Sequence, residues 1–230
     1  MTTVANDLYV QPTWFIDSDA PEIAALAAEV VGRTTDEIER ALRLFYAVRD
    51  GIRYSAYNLG LKREAMRASA VLAKGESWCV PKSVLLAALC RAAKIPCRLG
   101  YANVRNHLAT AKLLKFLGTD VFYYHGYNEL FLRGRWVKAT VAFNRALCDK
   151  ARLAPLDFDG EHDSLYHPYD LTGQRYMEYL HDYGPMADVP YDAIIAKFHE
   201  AYPRVYPRAA DEVTISGDFA AEIEREANAG

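Results

Sequence analysis

Pro81 stands at the head of a long apolar run, Trp-Cys-Val-Pro-Lys-Ser-Val-Leu-Leu-Ala-Ala-Leu-Cys90, and it decides how that run is placed. Proline has no N–H to donate and clashes with the turn before it, so a helix tolerates it only in the first turn. The segment therefore reads as a helix whose N-terminus holds Cys79. Val80, Val84, Ala88 and Ala92, joined by Leu85 and Leu89, form an apolar stripe that ends at Lys94-Ile-Pro96. Positive charge near the C-terminus and a following proline are ordinary stop signals. The run is far short of the roughly 20 apolar residues of a membrane span and carries Lys82 and Arg91, so a buried core helix is expected and no anchor.

The remaining pattern surrounds that helix with helices on one side and strands on the other. Residues 20–31 read as a helix capped by Asp19 with Pro21 in its first turn, ending at Gly32. A second helix starts at Thr34-Thr-Asp-Glu37, a capping-box spacing, and buries Ile38, Ala41, Leu42, Phe45 and Val48 before Asp50-Gly51. Cys97 to Val104 reads as a strand, and His107 to Leu117 as a short helical or irregular excursion. Phe122–Leu132 and Arg135–Phe143 are rich in aromatic and β-branched residues and meet at Arg133-Gly134, which fits a two-residue hairpin. With Leu132 beside Arg135, Tyr127 falls opposite Thr140. After Asn144 come a polar loop, helices expected near Gly173–Tyr183 and Pro190–Tyr202, and an acidic tail from Arg208 with one short peripheral helix. One domain is expected over 1–230.

A formal charge of -3 argues against nucleic-acid or anionic-membrane binding. A peptide, protein or small amide substrate is expected instead; the oligomeric state is left open. No basic segment leads into an apolar one near Met1, so a cytoplasmic location is expected. Cys79, Cys90, Cys97 and Cys148 read as reduced thiols whose spacing fits no zinc motif, and no cofactor or metal is expected. Asp157, Asp159 and Asp163 around Gly160 only faintly suggest a calcium loop, lacking its regular ligand spacing.

Chemistry concentrates at Cys79 and His125. A thiol attacks as its thiolate, and the N–H groups and dipole of a helix N-terminus favour negative charge there. A histidine within the aromatic strand Phe-Tyr-Tyr-His-Gly-Tyr-Asn is the natural base for such a thiol. The alternatives are a small buried cysteine and a core histidine bonded to the backbone.

Trp78-Cys79 opening a helix, then Ile-Pro-Cys-Arg-Leu-Gly100, then His-Gly-Tyr-Asn-Glu-Leu-Phe-Leu-Arg-Gly-Arg-Trp136, together resemble the transglutaminase-like superfamily. The resemblance covers about residues 40–145, leaving 146–230 as a helical extension. It implies an α+β, papain-like core with the cysteine helix packed on an antiparallel sheet, and a cysteine-protease type of activity. It also implies a Cys-His-Asp triad, in which the aspartate position is occupied here by Thr140. The hairpin register makes His125 and Thr140 diagonal neighbours on one face. Threonine can orient an imidazole but cannot stabilise its charged form. Asn144 and then Glu129 are the alternative third members, and Trp78 is a candidate lining residue. The expected reaction is acyl-enzyme formation on Cys79 from an amide, resolved by water or an amine. The competing reading is an impaired binding protein on the same fold.

Overall fold

The computed structural model describes residues 7–107, 109–166, 176–203, 205–206 and 215–229. Helices α1 (Pro21–Val31), α2 (Glu37–Gly51) and α3 (Ala68–Lys74) gather around α4 (Cys79–Ala92). A two-stranded parallel ribbon of β1 (Arg53–Tyr54) and β2 (Glu76–Ser77) leads directly into α4. The main sheet has the order β5-β4-β3-β6, from β3 (Cys97–Asn106), β4 (Val121–Leu132), β5 (Arg135–Ala139) and β6 (Met177–Met186), and every pairing in it is antiparallel. Four further helices complete the description: α5 (Ala111–Leu117), α6 (Arg145–Ala151), α7 (Tyr191–Ala201) and α8 (Phe219–Ala229). The result is the expected α+β, papain-like arrangement. Among the described residues no helix is long and apolar enough to cross a membrane.

The central helix is buried along nearly its whole length, from Cys79 to Arg91. It has no solvated face, so its polar side chains must find partners inside. Lys82 Nζ donates to the carbonyls of Arg49 at 3.0 Å and Ile52 at 2.6 Å, which ties α4 to the C-terminal end of α2. Burial brings the Lys82 ammonium down to a pKa of about 7. At the other end Arg91 donates to the carbonyls of Cys97, Gln11 and Ala187 at 3.0, 2.8 and 2.7 Å. Both side chains thus tie the two ends of α4 to the backbone packed around it.

The hairpin register is as the sequence predicts from Leu132 opposite Arg135 to Asn128 opposite Ala139, but the expected pairing of Tyr127 with Thr140 does not form. Arg133 and Gly134 both have positive φ, 47° and 86°, as a two-residue turn matched to strand twist requires. The second strand is shorter than expected, because it ends at Ala139 rather than Phe143. There the chain leaves β4: the Thr140 N–H donates to the Ser164 carbonyl at 3.0 Å and Ala139 bridges Ser164 in parallel.

Three other expectations change. The helix expected near Gly173–Tyr183 is the edge strand β6 over its described part; Gly173 lies outside the described residues. Its pairing with β3 shifts register twice, so its tyrosines lose the period of two that marks a strand. Helix α1 is entered through Ala20 in an extended conformation, with no side-chain cap from Asp19. The tail helix α8 is also less peripheral than expected, because Phe219 is buried against Tyr54 and Tyr57, whose hydroxyl hydrogen-bonds Glu222.

Candidate active site

Cys79 is the first residue of α4, and Trp78 before it has the extended conformation of a helix cap. The N–H groups of Val80 and Gly126, and its own, are directed at the thiol and favour its ionised form. Burial opposes them and prevails, pushing the thiol up to about 11. The expectation that the helix terminus alone makes a low-pKa thiolate is therefore reversed in the free protein. Desolvation of the charged form outweighs the helix N-terminus.

His125 is aimed by an irregularity in β4. The β3–β4 register shifts between Ala102 and Val104, where Tyr124 takes a positive φ of 55°. Such a bulge bends a strand and re-aims its side chains. Here it is held from two sides. The Tyr124 N–H donates to Asn103 Oδ1 at 3.3 Å, while the Tyr202 hydroxyl accepts from the Tyr123 N–H and donates to the Val121 carbonyl, both at 3.0 Å. Tyr202 follows α7, so the C-terminal extension supplies a hydroxyl where the β4 backbone departs from its ladder.

The imidazole is buried, and burial pulls it down to a pKa of about 4. Its Nε2 has no hydrogen-bond partner among the described residues. Cys79 and His125 line one cleft of about 590 Å³, its open mouth included, together with Trp78, Tyr54, Phe198 and Tyr202. Between strand and helix lies Gly126. A β-carbon there would stand 3.0 Å from Val80 Cα and 3.4 Å from the Cys79 carbonyl oxygen, so only glycine lets the two elements approach this closely.

The three proposed partners of His125 occupy different settings. Thr140 is buried, and its Oγ1, like His125 Nε2, forms no hydrogen bond of ordinary geometry. The Tyr179 hydroxyl lies beside it, also within reach of the Tyr166 backbone, and the Tyr166 ring packs on the imidazole with centroids 5.8 Å apart. Asn144 is committed elsewhere, its Oδ1 accepting the Tyr54 N–H at 3.0 Å. Glu129 is paired with Arg98 at 2.5 Å and is not among the residues lining the cleft. Trp78 does line it, with its ring 5.9 Å from that of Phe198.

Gly126, Asn103 and Tyr202 were not legible as site residues. The His-Gly dipeptide was the available signal for the first of them. Asp159 pairs with His162 at 2.7 Å, and no group of three metal-ligating side chains occurs among the described residues.

The family model of the transglutaminase-like superfamily matches residues 24–141, just over half the chain, and spans both Cys79 and His125. The chain belongs to this superfamily. Among solved structures it is similar to a "putative cysteine protease" from Cytophaga hutchinsonii, with 21% identity and a TM-score of 0.46, over 60% of this chain and 42% of that one. It is also similar to a "putative protease" from Parabacteroides distasonis, with 12% identity and a TM-score of 0.39, over 59% of this chain and 25% of that one. The chain thus spans less than half the length of either protein. No curated protein matches it. The superfamily match ends at Val141, so Phe143, Met177, Phe198, Tyr202 and Tyr206 reach the cleft from outside the matched span.

Proposed function

We propose that this protein is a cysteine-dependent acyl-transfer enzyme acting on an amide or related acyl group. The observation that carries the reading is the shared cleft: a thiol at a helix N-terminus and an imidazole on the neighbouring strand line one cavity. Cys79 Sγ attacks the carbonyl carbon, and the thiol proton passes to the His125 imidazole as the S–C bond forms. The carbonyl oxygen takes up the negative charge, with the Cys79 N–H as one candidate donor to it. As the tetrahedral intermediate collapses, the C–N bond breaks and the proton on His125 goes to the leaving amine. Water or a second amine then attacks the thioester and frees Cys79.

The resting pair is neutral on both sides, because burial holds the thiol near about 11 and the imidazole near about 4. Proton transfer therefore accompanies attack instead of preceding it. With Thr140 at the aspartate position no carboxylate among the described residues lining the cleft offsets the imidazolium, so turnover is faster on activated esters and thioesters than on plain amides.

The same two shifts favour a second reading, a binding protein that has kept the fold. One experiment separates them. Incubation with p-nitrophenyl butyrate, followed by intact-mass measurement and peptide mapping, gives a single butyryl group on Cys79 if the enzyme reading holds. The adduct is lost in Cys79→Ala and slowed at least tenfold in His125→Ala. No adduct, or one indifferent to both substitutions, would make the binding protein the leading reading.

A further inference from the structure

We infer that the cleft selects an uncharged, apolar acyl group, and that the superfamily core and the C-terminal extension build its walls together. The inference rests on the acyl-transfer reading of Cys79 and adds its substrate class. Among the described residues that line the cleft there is no Asp, Glu, Lys or Arg. Away from Cys79 and His125 its walls are mainly aromatic and aliphatic, with Phe122, Phe143, Phe198, Leu117, Val104 and Met177 beside the amide of Asn106. Two of the tyrosine hydroxyls at its edge are already engaged. That of Tyr202 serves Val121 and Tyr123, and that of Tyr206 donates to the Leu59 carbonyl at 3.1 Å.

A carboxylate or ammonium entering this space gives up its water and finds no counter-charge, a cost that an apolar chain does not meet. A methylene chain or phenyl ring instead loses only unfavourable contact with water. The reactive atoms and the apolar walls lie in one cavity, so an acyl group whose carbonyl carbon meets Sγ has its chain directed among these side chains. Val104, Leu117 and Phe122 lie within the span that the superfamily model matches and Phe143, Met177 and Phe198 beyond residue 141, so both parts of the chain contribute to the wall.

A series of p-nitrophenyl esters tests the inference: acetate, butyrate, hexanoate, 4-phenylbutyrate and the monoester of glutarate. In each, the Cys79 S–C bond forms, p-nitrophenolate leaves, and the thiol proton is taken up by His125 and then by solvent. The rate of Cys79 acylation should rise roughly fourfold per added methylene from acetyl to hexanoyl. The glutaryl ester should be no faster than the acetyl ester.

Binding is measured separately by calorimetry on the Cys79→Ser protein, with neutral 4-phenylbutanamide against anionic glutaramate. Equal rates across the series, or a glutaryl ester as fast as the hexanoyl one, would overturn the inference while leaving the thiol chemistry intact. If no ester labels Cys79 but the neutral amide binds at least tenfold more tightly than the anion, the apolar cleft stands and the acyl-transfer reading falls. Absence of both labelling and preferential binding overturns the two together.

Discussion

Gly126 and Val80 meet backbone to backbone: a β-carbon on Gly126 would lie 3.0 Å from the Val80 Cα. This contact brings the strand of His125 against the first turn of the helix that carries Cys79. The neighbouring link is polar, with Asn128 Nδ2 donating to the Ser83 carbonyl at 2.8 Å. The approach of strand to helix is therefore set by a glycine whose N–H also faces the thiol and by an asparagine outside the cleft lining.

Gly126→Ala tests that relationship. In an unstrained strand the change normally stabilises slightly, by restricting the unfolded chain. Here the new methyl group meets backbone that cannot rotate away. Overpacking of this kind costs about 1–3 kcal/mol. Urea unfolding should show a loss of that size, and acylation of Cys79 should fall by more than tenfold. A neutral or stabilised variant with unchanged acylation would show that helix and strand have room to separate.

The buried imidazole makes stability depend on pH in a fixed direction. His125 titrates near about 4 when folded, against 6.5 for the ordinary side chain. Between those values the unfolded state binds the proton that the folded state refuses. Stability is thus fully present above pH 6.5, falls as pH drops from 6.5 to 4, and levels off below. The loss from this group alone is about 3 kcal/mol. Urea titrations at pH 7.5, 6, 5 and 4.5 should show it, and His125→Gln should flatten that part of the curve. An equal slope in wild type and variant would mean that the imidazole is hydrated in solution.

Tyr202→Phe removes one hydroxyl from a place where it serves two backbone groups, the Tyr123 N–H and the Val121 carbonyl. Leaving a buried polar group unpaired costs about 1–3 kcal/mol. The ring stays, so the cleft keeps its shape while the bulge that aims His125 loses its support. The expected signature is a fall in the maximal rate of Cys79 acylation, with little change in the ester concentration needed for half-saturation. A change confined to half-saturation would assign Tyr202 to substrate contact alone.

What was legible in the sequence was local. Pro81 placed Cys79 at a helix start because a proline's missing N–H leaves few alternatives, and Arg133-Gly134 set the hairpin register because a glycine in a two-residue gap between two aromatic-rich strands accepts the positive φ of a tight turn. The strand β6 was hidden because two register shifts break the alternation that the eye follows. The end of β5 at Ala139 was hidden as well, since the competing partner, Ser164, lies in a distant loop. The state of the thiol was the least legible feature. A helix N-terminus is visible in a sequence, but the burial that overrides it comes from residues such as Phe198 and Tyr202, more than a hundred positions away.

Thr140 offers the sharpest test of how far this site has moved from a charged triad. Its Oγ1 and the Nε2 of His125 are both buried, the Tyr179 hydroxyl lies beside the first, and Tyr166 links their surroundings through its ring on the imidazole and its backbone near Tyr179. Thr140→Asp places a carboxylate in that pocket. An opposite charge close by raises an imidazole's pKa by about 1–3 units. Proton transfer from Cys79 then becomes easier, and iodoacetamide labelling of Cys79 at pH 7 should rise at least tenfold, with its pH midpoint moved down. Thr140→Asn is the matched control, since it offers a hydrogen bond of similar reach without charge, and it should leave the midpoint unchanged. A downward shift with aspartate alone would place Thr140 at the third position of the site. Identical behaviour of the two variants would place it outside the influence of His125, and the orienting role would pass to the Tyr166 ring.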